Sequence, residues 1–248
     1  MAIQKKCYVD FLGGPEPATQ LMLASGGTGA AAGSDNNVNQ WLFAGGAQLE
    51  CSATAANADI VPVKSAGVGL VIPNDNTANE GVEILVSDSL NSTGPCYTIG
   101  TDAAFRVDMK VKIPDVSDYD VCAVGFRKQE AYTAAIEAAG ELITDYADIA
   151  ALNVNVGNID TCTRLNSGTG TATDTTDDWA DAATKTLSVL VSSTGVATFL
   201  IDGAAPTTNT NTLTFDNGDV VIPFMAFTKA ATSGDTPPIL VSFFAGHQ

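Results

Sequence analysis

The stretch Phe105-Arg-Val-Asp-Met-Lys-Val-Lys-Ile113 decides the fold class of this chain. Apolar residues occupy the odd positions from 105 to 113, and charged residues occupy every even position between them. Successive side chains of a β-strand point to opposite faces, so the alternation separates an apolar face from a charged one. The pattern predicts an antiparallel strand with one face in a core and the other in water.

Short apolar runs separated by Gly, Asn and Asp turns predict further strands on both sides of this one. The clearest hairpin joins residues 186–191 to 196–201 through Ser192-Ser-Thr-Gly195, where glycine supplies a positive φ. Residues 166–178 are polar and predict a loop. The other predicted strands are 68–72, 82–86, 122–127, 152–156, 159–164, 213–215, 220–227 and 239–244. Together they predict an all-β antiparallel sandwich or jelly roll over residues 67–248.

Residues 1–66 have a different composition. The tract Ala24-Ser-Gly-Gly-Thr-Gly-Ala-Ala-Ala-Gly33 has almost no side chain to bury and predicts an extended segment. Apolar clusters at residues 7–12 and 41–43 lie on either side of it. We expect residues 1–66 to form an N-terminal arm that contacts a partner. The alternative is that the segment packs across its own sandwich and supplies edge strands.

One stretch, residues 128–139, has helical character. It is rich in Ala and Glu, and Tyr132, Ile136, Ala139 and Ile143 recur at helical spacing. This pattern predicts one short helix inserted into the β domain.

The charge balance excludes several partners. The chain has 28 acidic and 11 basic residues and a net charge of −17. Nucleic acids and anionic lipids are bound through Lys and Arg, so we expect neither as a partner. The N-terminus lacks an apolar signal region, and no run approaches the roughly 20 apolar residues of a membrane helix. We therefore expect a protein made in a cytoplasm, whose acidity serves solubility or docking on a basic surface.

The cysteines favour reduced thiols over a metal site. They lie tens of residues apart without a CxxC pair, which excludes the usual zinc spacings. Their odd number argues against a fully disulfide-bonded module, so we expect buried thiols. The five cysteines are Cys7, Cys51, Cys96, Cys122 and Cys162.

The second half of the chain carries a recognisable pattern. Trp179 precedes the strand at 186–191, Gly195 follows in a turn, and the strand at 196–201 ends in Asp202-Gly203. With the late strands, this pattern over residues 68–246 resembles the concanavalin A-like jelly roll of lectins, laminin-G-like modules and viral surface proteins. Together with the small-residue N-terminal segment, it resembles the decoration (cement) proteins of tailed-phage capsids.

The resemblance implies a function without chemistry. As a capsid decoration protein, the chain would bind the major capsid protein, stabilise the virion and form a homo-oligomer on the capsid surface. The alternative is a carbohydrate-binding module or tail-associated adhesin that binds a surface glycan with the same fold.

Catalytic constellations are missing from the sequence. His247 is the sole histidine, which excludes Ser-His-Asp, Cys-His and multi-histidine metal schemes. Jelly-roll glucanases carry alternating acids on one strand face, whereas residues 105–113 offer Asp108 alone. Glu80 and Glu83 are three apart, hence on opposite faces of a strand. We expect no enzyme, no catalytic residue and no cofactor.

Calcium and sugar sites stay open as weaker alternatives. Oxygen ligands gathered in loops suit Ca²⁺, but neither acidic cluster matches an EF-hand loop, so hydrated strand ends are the simpler interpretation and we expect no metal. Trp179 could stack on a sugar, although a Trp that opens a sandwich strand is more often part of the core. The acidic clusters are Asp115, Asp118 and Asp120 in one turn, and Asp174, Asp177, Asp178 and Asp181 around Trp179.

Overall fold

The computed structural model describes five strands within residues 6–65 by their backbone, and residues 68–72, 81–86, 96–130, 146–229 and 236–248. In this described part, seventeen strands, β1 to β17, make up almost all of the regular structure. One 3₁₀ turn, Val116–Asp118, lies before β10. The strands are β1 Lys6–Asp10, β2 Leu21–Met22, β3 Val38–Ala44, β4 Ala47–Ala53, β5 Val63–Ser65, β6 Gly69–Val71, β7 Gly81–Val86, β8 Tyr97–Thr98, β9 Phe105–Lys112, β10 Tyr119–Lys128, β11 Ile149–Asn155, β12 Asn158–Arg164, β13 Thr171–Asp178, β14 Thr184–Val191, β15 Ala197–Ile201, β16 Val220–Lys229 and β17 Ile239–His247.

The strands form two antiparallel sheets. The smaller sheet has the order β15-β14-β9-β17-β6-β5, and β1 pairs with β17 beyond the end of β6. The larger sheet has the order β13-β12-β11-β10-β16-β7-β4-β3-β2, and β8 pairs with β16. Two packed sheets confirm the predicted all-β sandwich.

Strand β9 lies in the middle of the smaller sheet, between β14 and β17. Its odd-numbered residues, from Phe105 to Val111, are fully buried, and its even-numbered residues reach the surface. The period of two in the sequence therefore correctly predicts which side chains of β9 face the core. In the core, Phe105 of β9 stacks on Tyr97 with ring centres 4.2 Å apart and packs edge-to-face with Phe126.

A second apolar cluster lies on the outer face of the larger sheet, from Leu85 across to Cys162. Arg127 is fully buried there, and its Nη2 donates to Glu83 at 2.7 Å. Tyr146 donates its hydroxyl to the same carboxylate, and its ring lies 4.0 Å beneath the guanidinium carbon. A buried ion pair is tolerated when hydrogen bonds satisfy both partners, and these three side chains meet that condition.

Three sequence expectations differ from the structure. Residues 171–178, expected within a polar loop, form the edge strand β13, whose threonines favour extended backbone. Lys128, where the helix was expected to begin, is the last residue of β10, and residues 131–145 lie outside the described part. Residues 213–215 make an isolated bridge, Val196 to Thr214, rather than a strand.

The N-terminal strands pair with the rest of the sandwich. β1 pairs with β17 over five residues, β4 pairs with β7, and β5 pairs with β6. The boundary at residue 66 and the partner contacts of residues 1–66 stay predictions. Among the described residues, no helix has the length and apolar character needed to cross a bilayer.

Candidate binding surface

The outer face of the smaller sheet carries the even-numbered side chains of β9. These are Arg106, Asp108, Lys110 and Lys112, and they follow one another along the central strand. Arg106 and Asp108 form a salt bridge, and Arg106 is the more exposed partner, with 46% of its side chain exposed against 20% for Asp108. The strand therefore presents three cations and one carboxylate away from the core.

Neighbouring strands place hydroxyl and apolar side chains beside this charged row. On β14, Thr186 pairs with Lys110, Ser188 with Asp108 and Leu190 with Arg106. On β17, Ser242 pairs with Lys110 and Phe244 with Asp108. Cross-strand partners share a face of the sheet. We call the surface made by these nine residues of β9, β14 and β17 the β9 face.

The guanidinium of Arg106 is held on two sides. Its Nε lies 3.2 Å from Oδ2 of Asp108, and its central carbon lies 5.0 Å from the centre of the Phe244 ring. A cation over an aromatic face is attracted by the ring, and the neighbouring carboxylate fixes the orientation of the planar guanidinium group. Among the described residues, no acceptor takes a hydrogen bond from its two terminal nitrogens. Arg106 is thus a positioned donor that faces solvent.

Two cations of the larger sheet are neutralised locally. Lys128 donates to Oδ2 of Asp148 at 2.8 Å, and this hydrogen bond raises the pKa of Lys128. Arg127 is paired with Glu83 as described above. Lys110 is exposed and Lys112 half-buried, and neither forms an ion pair with a carboxylate of the described residues.

Trp179, the candidate sugar platform, lies in the core. It is 2% exposed, and its Nε1 donates to the carbonyl of Ala183 at 3.4 Å. Its face is therefore closed to a ligand.

The acidic clusters cap backbone rather than gather around one point. Asp115 accepts from the amide of Ser117, and Asp181 accepts from the amide of Val116 at 3.0 Å. Asp177 accepts from the amide and hydroxyl of Thr207, and the amide hydrogen bond lowers the pKa of Asp177. Within the described ranges, no three Asp, Glu, His or Cys side chains are grouped so as to hold a metal ion.

The remaining candidates are dispersed. Asp108 belongs to the β9 face, whereas Glu83 is buried on the other sheet and Glu80 lies outside the described residues. His247 is half-buried, with the centre of its ring 5.4 Å from that of Tyr97 in an edge-to-face arrangement and its Nδ1 3.3 Å from the carbonyl oxygen of Ala103. Among the side chains that the structure describes, neither a second carboxylate nor the histidine lies beside Asp108.

Two of the cysteines are buried thiols with weakened acidity. Burial raises the pKa of Cys162 to about 12, with a contribution from Asp160. Burial also raises the pKa of Cys122. Both side chains are structural rather than reactive, because the thiolate is the reactive form.

Sequence reasoning identified the charged face of residues 105–113 but not the site built on it. Phe244 was assigned only to a late strand, and its proximity to Arg106 depends on the pairing of β17 with β9. The signal available in the sequence was the run of three cations at even positions in a chain of net charge −17.

Comparison with known proteins identifies the architecture. No family model matches the chain, and no curated protein matches it either. The potassium-bound carbohydrate recognition domain of Emp46p superposes with a TM-score of 0.50 at 8% identity, covering 79% of this chain and 87% of that one. The fold is a lectin-like β-sandwich.

Two further structures are similar at lower scores. A protein of unknown function from Shewanella oneidensis MR-1 has a TM-score of 0.47 and 15% identity, covering 98% of this chain and 87% of that one. The CBM2 module of the evolved Dit of Lactobacillus casei BL23 phage J-1 has a TM-score of 0.44 and 13% identity, covering 99% and 97%.

Proposed function

We propose that this chain is a non-catalytic carbohydrate-binding module whose sugar site is the β9 face. The observation that carries the proposal is the guanidinium of Arg106, fixed by Asp108 at 3.2 Å and by the ring of Phe244, on a solvent-facing sheet surface. A donor that is already oriented loses little conformational entropy when it binds a ligand.

The chemistry of this surface suits a sugar. Sugar hydroxyls both donate and accept hydrogen bonds, and Arg106 supplies donors while Asp108 supplies acceptors. Thr186 and Ser242, both half-buried, extend this polar surface, whereas Ser188 is buried. Leu190 and Phe244 give apolar area for the C–H faces of a sugar ring. A few well-placed polar groups beside apolar area are typical of small-ligand sites.

The same face argues for binding without hydrolysis. Glycoside hydrolysis ordinarily needs two carboxyl groups on either side of the scissile bond. Asp108 is the one carboxylate of the β9 face, and its partner is a guanidinium. We expect no release of reducing sugar when the protein is incubated with a panel of polysaccharides. The sandwich that the chain shares with the carbohydrate recognition domain of Emp46p supports binding over catalysis.

A glycan array followed by titration calorimetry tests the proposal. The chain should bind at least one glycan, and Arg106→Ala should weaken that binding about tenfold, since a hydrogen bond from a charged donor contributes about 1.5–3 kcal/mol. Lys185→Ala is the matched control. It removes a half-buried cation of β14 that lies outside the β9 face, so the affinity should stay within a factor of two.

Unfolding temperatures of both variants must match that of the parent for this comparison to hold. Absence of binding to every glycan on the array would overturn the proposal. Equal loss of affinity in Arg106→Ala and Lys185→Ala would place the sugar elsewhere on the sandwich.

Capsid decoration is the second proposal. It follows from the resemblance to cement proteins, and it assigns the chain to a virion surface with the major capsid protein as partner. Immunogold electron microscopy of purified particles distinguishes head, tail and non-virion locations, and a label on the tail would favour an adhesin.

A further inference from the structure

The β9 face is positively charged on a strongly acidic protein. Arg106, Lys110 and Lys112 oppose the single carboxylate Asp108, while the whole chain carries −17. β1, whose sequence holds one lysine and one aspartate, pairs with β17 along the edge opposite to β9. An anion is repelled by most of such a molecule and attracted to this face, which steers its approach.

The two lysines of this face differ from the cations of the larger sheet. The guanidinium of Arg164 donates to three backbone carbonyls between 2.8 and 3.2 Å. Lys229 is 3% exposed, and Lys128 is bound to Asp148. Lys110 is exposed and Lys112 half-buried, and neither charge is balanced by an ion pair with a described carboxylate.

Resting on the carbohydrate-binding function proposed above, we propose that the β9 face selects an anionic polysaccharide. Lys110 and Lys112 bind the repeated acidic groups of the polysaccharide, and Arg106 and Asp108 bind its hydroxyl groups. Alternate residues of a strand are about 7 Å apart, so the two ammonium groups offer two sites along the direction of β9. A lysine is a compact point charge on a flexible stem and accepts either a carboxylate or a phosphate.

The test compares polysaccharides that differ in charge but not in backbone. Polygalacturonate carries a carboxylate on each sugar, and its methyl ester carries none. Poly(glycerol phosphate), whose backbone is a polyol rather than a sugar, is a separate phosphate probe and distinguishes the source of the anion. Binding to polygalacturonate or to poly(glycerol phosphate) should exceed binding to the ester about tenfold or more, and the preferred anion identifies the source.

Salt and variants assign the selectivity to the lysines. Raising the salt from 0.1 M to 1 M shortens the screening length from about 10 Å to about 3 Å, so binding of the anionic probe should fall while binding of the ester does not. Lys110→Gln and Lys112→Gln should each lower the affinity for the anionic probe about twofold to fivefold, as expected for the loss of an exposed charge pair. Lys185→Gln, which makes the same change of charge on β14 outside this face, should leave binding unchanged.

The outcomes separate the two proposals. Equal affinity for polygalacturonate and its ester, or lysine variants that behave like Lys185→Gln, would overturn anionic selectivity and leave carbohydrate binding standing. Absence of binding to any glycan would overturn both. Binding of poly-glutamate as tight as polygalacturonate, or a self-association that disappears in Lys110→Gln, would assign the face to an acidic protein or to a second copy of the chain.

Discussion

Asp160 and Asp174 lie directly opposite one another on the neighbouring strands β12 and β13. Like charges in this position destabilise a sheet. Burial raises the pKa of Asp160, and the charge of Asp174 raises it further. The ionised form of Asp160 is therefore penalised in the folded state.

Replacing this carboxylate should stabilise the protein in a pH-dependent way. A raised folded pKa lowers stability above that pKa, and the penalty vanishes below the ordinary aspartate pKa of about 3.9. Asp160→Asn should therefore raise the free energy of unfolding by about 0.5 kcal/mol at pH 7, or about 1–2 °C in Tm, with no gain at pH 3. Thermal unfolding at both pH values measures this.

Asp178→Asn is the control, because Asp178 faces Asn158 rather than an acid. Its Tm should change by less than that of Asp160→Asn at pH 7. A gain for Asp160→Asn that persists at pH 3 would mean that charge repulsion is not its cause.

The burial of individual side chains was predictable from the sequence only in part. The alternation in β9 predicted the burial of Val111 because the pattern is local to one strand. The burial of Arg127 was not predicted, since an isolated Arg in a strand is ordinarily read as exposed. Its partner Glu83 is 44 residues away along the chain, so the contact depends on the pairing of β10 with β16 and of β16 with β7.

The hairpin of β11 and β12 stores strain in its turn. Asn155 pairs with Asn158, which leaves the two-residue loop Val156-Gly157. Both loop residues have positive φ, 47° at Val156 and 92° at Gly157. This combination fits a type I′ turn, in which Asn-Gly is preferred and a β-branched residue is strained.

Val156→Asn should relieve this strain. Val156 is 52% exposed, so the substitution sacrifices little burial. We expect a gain of about 1 kcal/mol, which corresponds to about 2–4 °C in Tm for a domain of this size. Val196→Asn is the matched control, since Val196 is 46% exposed but is not among the residues with positive φ. A loss of stability in Val156→Asn would show that this valine makes a contact worth more than its strain.

Elements were predictable where local pattern and burial agree. The turn at Gly195 was read from the sequence, and its φ of 89° and close approach to the carbonyl of Phe215 show why glycine is needed there. β13 was missed because an edge strand exposes most of its side chains and lacks the apolar alternation of an inner strand. β13 forms because it pairs with β12, and its composition does not indicate that pairing.

At the scale of the whole molecule, composition predicted the sign of the charge but not its distribution. A net charge of −17 argued against nucleic acid and anionic lipid as partners. β9 nevertheless collects three cations on its outer side in the centre of a sheet. Distribution follows from the order of the strands, which composition does not encode.

The role of the first 62 residues can be tested by deleting them. The deletion removes β1 from β17 and β4 from β7, which leaves both strands with unpaired edges. Exposed edges pair with other chains, so a protein that begins at Val63 should aggregate or unfold at a lower temperature, as seen by size-exclusion chromatography and circular dichroism. Deletion of residues 1–5, which precede β1, leaves these pairings in place and should preserve the elution volume and the Tm of the full chain. A protein beginning at Val63 that stays unaggregated with an unchanged Tm would contradict this expectation, and if it failed to bind undecorated phage particles that the full chain binds, residues 1–62 would be the capsid-binding arm.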